Sequence, residues 1–292
     1  IWTDFATTNA WQSPGYYITL SFWAMLTGWS DFAARSLSLL FAMLSLAWLY
    51  RLAHDMAGKK MALYAVTFLV GSSLFVHYSH EMRPYALYIL MTCIAIWAYW
   101  RIIARESEPR PLHYGMLFVG LVGMAYTHVL ALLAAFGIGA YHLLLAPKDR
   151  KWLYATGIML ASAIAFLPWA QYTLTLVGEA AEDTTRQAVA LFGVELLDET
   201  LRSFSNGNLI ILLVLLGAAA LQIKHQRNQI LWFWLVIPLA MAMILSYIVP
   251  AFIHVRYLMS VWAVLALLAA VGLMSIERRG FPAIVILAVW LV

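Results

Sequence analysis

The stretch "HYSHEMRPY", His77 to Tyr85, places two histidines, a glutamate and an arginine between long apolar runs. An ionisable side chain at the end of a membrane helix is expensive unless paired or hydrated, so such a cluster is a site candidate by default. Arg83 could pair with Glu81 or grip a phosphate through its planar fork. Pro84 suits the start of the next helix, whose N-terminus beside an arginine favours an anion. A second cluster, "FIHVRY", offers Arg256 as another phosphate ligand and His254 as an acid, base or hydrogen-bond donor. Its Tyr257 is a contact or an interfacial anchor. His128, in "YTHVL", is the third candidate. Interfacial arginines also serve simply as headgroup anchors; four ionisable groups in one short stretch favour a site.

The elements that must position these groups are membrane helices. Of 292 residues, 64% are hydrophobic and 11% charged, with a mean hydropathy of +0.82, whereas soluble domains carry about 25% charged residues. Apolar runs recur near the length of a bilayer crossing: 32–50, 61–76, 85–103, 112–127, 129–146, 152–172, 209–223, 230–248, 257–276, and the start of another at Phe281. The expectation is an all-α, polytopic transmembrane protein with about ten membrane helices and outer juxtamembrane helices, forming one domain over 1–292. The run 112–146 is too long for one crossing and reads as a hairpin bent near His128. Cys93, the single cysteine, leaves the redox compartment unread. Ile1 is not an initiator methionine and the last apolar run stops mid-crossing, so a fragment is expected.

Charge orients the bundle. All but five of the 18 Lys and Arg residues fall on one set of loops, which the positive-inside rule makes cytoplasmic. The other face keeps Arg35, Arg83, Arg186, Arg202 and Arg256, and all three candidate clusters lie there. Two longer segments share that face: 1–31, with an aromatic stretch that either crosses or lies flat, and the polar connection 173–207. In the latter, Val189, Phe192, Leu196, Leu197 and Leu201 give a helix one apolar stripe, suited to a membrane surface as a solvated cap or a lid. His77, His80, Glu81 and His128 could supply metal ligands, but match no standard zinc spacing. No phosphate-binding Gly-rich loop of the ATP-driven kind is present.

The order of these motifs resembles the membrane-embedded C-type glycosyltransferases that use polyprenyl-phosphate sugars, specifically bacterial relatives of the protein O-mannosyltransferases and lipid A aminoarabinose transferases. Gln12, Ser13, Pro14, Gly15, Tyr16 and Tyr17 occupy the family's His-Pro-Pro-Leu-Tyr-Tyr-like element, with Gln12 and Ser13 departing from it. Asp31, Arg35, Ser38 and Arg51 follow its next helix. Tyr78, Ser79, Glu81, Arg83 and Tyr85 match its Tyr-Ser-x-Glu-x-Arg-x-Tyr element. The resemblance implies that 14–27 is an outer juxtamembrane helix. It also implies sugar transfer from a polyprenyl-phosphate-linked donor to a lipid, glycan or protein acceptor, at the periplasmic face of a bacterial inner membrane. Membrane lipids are expected neighbours and nucleic acid is not.

On that reading Arg83 and Arg256 hold the lipid phosphate. His80, Tyr78, Tyr85, His128, His254, Tyr257, Gln12 and Tyr16 complete the substrate-binding set. Glu81 could orient Arg83, hold a divalent ion or polarise the acceptor; no other cofactor is implied. The family's catalytic Asp would lie before Ile1, with Asp4 a weak substitute. A transporter or flippase would use the same arginines, but neither pseudo-symmetric halves nor broken helices are legible. A non-catalytic scaffold is the other alternative.

Overall fold

The computed structural model describes residues 13–103, 108–181, 191–249 and 254–291, with backbone alone for 173–181. Asp4 and Gln12 lie outside the described residues. Thirteen α-helices run in chain order: α1 Gly15–Thr27, α2 Asp31–Ala57, α3 Lys59–Val70, α4 Ser73–Ser79, α5 Tyr85–Ile103, α6 Pro111–Thr127, α7 Ala131–Leu144, α8 Arg150–Ala181, α9 Gly193–Phe204, α10 Leu209–Ala220, α11 Gln226–Ile248, α12 Met259–Glu277 and α13 Ala283–Trp290. A 3₁₀ turn, Val255–Leu258, leads into α12. No strand occurs among the described residues.

Two helices form the core. In α5 and in the turn-plus-α12 segment, 89% of the most apolar window is buried. Buried on nearly every side, they read as continuous hydrophobic sequence with no polar stripe. The surrounding helices turn apolar residues such as Leu39, Phe136 and Ile164 outward, as lipid contact requires. Close packing needs small residues where there is no water to drive association. Gly272 of α12 meets the Leu215 backbone of α10 so closely that a Cβ would overlap its carbonyl.

Among the described residues, five helical segments are long and apolar enough to cross a membrane, or seven if two bent pairs each count as one span. The expected ten is therefore not reached. Part of the shortfall is that α6, α7 and α13 are short, with 17, 14 and 8 residues. The rest is that hydropathy does not register bends. α3 and α4 break by 75°, and α9 and α10 by 96°. Broken helices, not legible in the sequence, are thus a feature of the fold.

The two breaks are joined by one side chain. Asn206 adopts a left-handed φ of 53°, which Asn tolerates better than most residues. Its Nδ2 donates to the Gly71 carbonyl at 2.6 Å, and its Oδ1 accepts from the Ser73 amide at 2.8 Å. These are backbone groups orphaned at the end of α3 and the start of α4.

The outer helices position the candidate site. Helix α1 is too short to span and packs beside the start of α2 and the end of α6. A Cβ at Gly15 would lie 2.8 Å from the Tyr126 carbonyl oxygen. Tyr16 donates to or accepts from Ser38 at 2.6 Å, and the Trp23 indole donates to the Ala33 carbonyl at 2.8 Å. Ser30 caps α2 by accepting from the Ala33 amide. The apolar stripe of α9 rests on protein: Leu196 is fully enclosed, and the Gly193 amide donates to Ser246 Oγ of α11 at 2.9 Å. A close on the hairpin expectation comes at His128, which ends α6 before α7 begins.

Candidate functional site

A cavity of about 600 Å³ opens where α1, the start of α2, the end of α4, the loop 80–84 and the 3₁₀ turn meet. Its charged lining comprises three guanidiniums, Arg35, Arg83 and Arg256, with Glu81 as the carboxylate. Tyr17, Leu20, His77, Tyr78, Met82 and Tyr85 complete the wall. Each arginine comes from a different segment, so the positive charge is assembled only by folding.

Glu81 does not neutralise these arginines by direct contact. Its Oε1 lies 3.1 Å from His77 Nε2, one helical turn back. The short Glu81–Arg83 contact is between backbones, the Arg83 amide donating to the Glu81 carbonyl at 2.7 Å. The expectation that Glu81 orients the Arg83 side chain is therefore corrected: its carboxylate turns to His77. Arg83 instead lies near enough to Tyr17 for its charge to act on the Tyr17 hydroxyl. Burial raises the Tyr17 pKa, and the Arg83 charge offsets part of that rise.

Arg256 is half-buried against aromatic surface. Its guanidinium carbon lies 5.1 Å from the Tyr257 ring centre, and one terminal nitrogen donates to the Tyr257 hydroxyl at 3.3 Å. Its Nε is buried with no hydrogen-bond partner among the described residues. A desolvated donor on a cation without a carboxylate is an unmet demand for an anion. Arg35 reaches the His80 carbonyl at 3.5 Å, at the limit of a hydrogen bond.

Behind the cavity the aromatic residues form a continuous stack. Tyr78 meets Tyr85 at 4.7 Å, Tyr85 meets Tyr257 at 6.5 Å, and Tyr257 meets His128 at 5.0 Å. His128 then stacks on Tyr88 at 5.4 Å. Burial first, and the Arg256 charge second, push the His128 pKa down to about 3. Its Nδ1 accepts from the Leu130 amide at 3.2 Å, which leaves the proton of the neutral ring on Nε2. His128 therefore supports Tyr257 as a neutral ring and does not titrate near neutrality.

The other expected residues are placed differently. His254 lies beside Tyr257 at 5.9 Å and its Nδ1 accepts from the Arg256 amide at 3.4 Å, so it shapes the turn that presents Arg256. His80 is exposed outside the cavity wall and faces His77 at 6.2 Å. Tyr16 points away, fully buried against Ser38, and Tyr17 takes the cavity position. Arg35, Tyr17 and His77 are thus the polar lining residues that the candidate set lacked, with Leu20 and Met82 the apolar ones. The charge count did single out Arg35, as one of five cations on that face.

For a divalent ion, His77 and Glu81 supply one nitrogen and one oxygen donor. No group of three His, Cys, Asp or Glu converges among the described residues, so these two alone do not complete an ordinary coordination shell.

No curated protein matches the chain in sequence. Among solved structures, the chain superposes on ArnT from Cupriavidus metallidurans bound to undecaprenyl phosphate with a TM-score of 0.66 at 12% identity, over 92% of this chain and 52% of that one. The apo form of the same protein gives a TM-score of 0.67 at 13% identity, over 90% and 49%. The chain thus spans about half the length of these structures, and at such identity the likeness is one of fold. The family model described as dolichyl-phosphate-mannose-protein mannosyltransferase matches residues 12–173, which take in α1, the loop 80–84 and the Arg35 and Arg83 walls of the cavity. That match covers more than half of the 292 residues, and the chain belongs to this mannosyltransferase family.

Proposed function

We propose that this chain forms part of an integral-membrane glycosyltransferase that moves a sugar from a polyprenyl-phosphate donor to a lipid, glycan or protein acceptor. Chemistry takes place at the end of the bundle that the positive-inside rule assigns to the outside of a bacterial inner membrane. The observation that carries the reading is the cavity in which Arg35, Arg83 and Arg256 converge while Glu81 is engaged by His77. Family membership and the ArnT complex with undecaprenyl phosphate support a lipid-phosphate donor.

In this mechanism an acceptor hydroxyl or amine attacks the anomeric carbon of the donor sugar. The bond from that carbon to the phosphate oxygen breaks, and a carboxylate takes the acceptor's proton. Negative charge grows on the departing lipid phosphate, and preorganised guanidiniums in a poorly hydrated site stabilise it. Arg256 is best placed for that role because its Nε has no partner, and Arg83 faces it across the same cavity. Tyr17 lines the same cavity as Arg83. Glu81 and Asp4 are the candidate carboxylates, and Glu81 lies in the cavity wall.

The broken helices favour a second reading, transport, because discontinuous helices often build substrate sites in transporters. At the α3–α4 break, however, the freed backbone groups of Gly71 and Ser73 are taken by Asn206. They are not left to coordinate a substrate. Sugar transfer from a panel of polyprenyl-phosphate donors decides between the two. Transfer lost in Arg83→Ala and Arg256→Ala supports the enzyme, whereas full activity in both variants removes these arginines from the mechanism. Binding without transfer across the whole panel favours transport.

A further inference from the structure

At the opposite end of the bundle, a small pocket is walled by Gln222, Arg227, Ser275 and Arg278, with Met61 and Met274 beneath. It lies where α2 and α12 end, α3 and α11 begin, and the turn after α10 passes. The groups around it are out of balance. Arg227 buries its Nε with no partner among the described residues, and its single hydrogen bond is a long one, 3.5 Å from a terminal nitrogen to the Met56 carbonyl. Arg278 lines the same pocket without an ion pair among the described residues. Gln222 and Ser275 bond each other at 3.3 Å. The nearby acid, Glu277, is already held by Lys60 at 2.6 Å and by Tyr64 at 3.1 Å.

Two guanidiniums on one pocket without a carboxylate repel each other, and a half-buried cation with an unused donor requires an anion for balance. The enclosed space is about 10 Å³, enough for one water-sized atom. A phosphate oxygen has that size, and the rest of the phosphate would remain outside, against the exposed Arg278. The pocket sits among the ends of membrane helices on the basic face, with Lys59, Lys60, Lys224 and Arg279 close in sequence to its walls. Basic pockets between membrane helices on that side suit anionic headgroups.

We propose that this pocket binds the phosphate of an anionic phospholipid, with one oxygen on Arg227 Nε and the remaining charge on Arg278. The proposal stands apart from the glycosyltransferase reading, because it uses neither the large cavity nor its arginines.

Native mass spectrometry of the purified, delipidated chain tests it, with phosphatidylglycerol, phosphatidylcholine and inorganic phosphate titrated in separate arms. The expected result is selective retention of phosphatidylglycerol, weakened about fivefold in Arg278→Gln and at least as much in Arg227→Gln. Arg278 is exposed, so its variant reports on binding even if Arg227→Gln folds poorly. Arg256→Gln, at the other end, should keep the adduct. Equal retention of phosphatidylcholine would overturn phosphate recognition, and equal affinity for inorganic phosphate would overturn the lipid as occupant. Loss of the adduct in Arg256→Gln, with retention in both pocket variants, would move the lipid to the large cavity and overturn the proposal.

Discussion

The Asp55 cluster at the basic end of the bundle and the large cavity at the other end treat arginine in opposite ways. At the basic end, Asp55 accepts from Arg101 at 3.2 Å, from Arg51 at 3.4 Å and from the Trp97 indole at 3.0 Å, tying α2 to α5. At the cavity end, Arg256 rests on tyrosine with its Nε unpartnered, and Arg83 lies near a tyrosine hydroxyl. Paired guanidiniums hold helices together; unpaired ones are held ready for something that is not protein. A count of charges along the chain treats the two groups alike, and only their partners separate structure from function.

The comparison breaks most directly at Arg256. Arg256→Ala should lower transfer about 10²- to 10³-fold, the usual loss when one donor to a developing anion is removed, with little change in thermal stability. Arg101→Ala should do the reverse, since its partner is structural. Similar kinetics for the two variants would erase the distinction. Next in size, Asp55→Ala strands two arginines and an indole donor and should destabilise the fold by about 2 kcal/mol, less than a fully buried pair because Arg51 is exposed. Denaturation in detergent measures it, and a loss within ±0.5 kcal/mol would show that the network is ornamental.

Asn206→Ala removes two hydrogen bonds at the α3–α4 break and should cost about 1–2 kcal/mol. It should also raise KM more than it lowers kcat, because it loosens the wall that carries His77 and Tyr78. Asn206→Asp, which keeps the acceptor to Ser73 but not the donor to Gly71, should fall between the two. A last effect, confined to acid pH, concerns His128. His128 is neutral in the fold down to about pH 3, whereas an unfolded histidine takes up a proton near pH 6.5. The unfolded state therefore binds more protons between those values, and stability falls as pH drops below about 6.5, by at most ~1.4 kcal/mol per unit. Above pH 6.5 this contribution is constant. His128→Gln should flatten that part of the stability profile.

The helices and the arginines were legible because both follow from simple demands. A bilayer crossing needs a long apolar run, and an arginine at its end stands out against so few charges. Distinctions of angle and phase were not legible. Tyr16 and Tyr17 are equally plausible in a short helix that is apolar all round, and only the docking of α1 on Ser38 turns Tyr17 toward Arg83. Glu81 has Arg83 two residues ahead and His77 four behind, and the bend that leaves α4 after Ser79 brings its carboxylate back to His77. The bend at Gly71 interrupts an apolar run without interrupting its hydropathy, so 61–76 reads as one span while the fold makes two helices at 75°.

The Asn206 clasp also sets an order of events during synthesis. Its partners, Gly71 and Ser73, precede it by 135 and 133 residues. At elongation rates of about 5–20 residues per second, the α3–α4 bend waits roughly 7–27 seconds for its carboxamide to emerge. Until then Tyr78 and Glu81 hang from an unlatched helix. A ribosome-stalled chain ending before residue 200 should accordingly exchange its Ser73 amide freely, and one extending well past 206 should protect it, so that the cavity wall is completed only after Asn206 has been made.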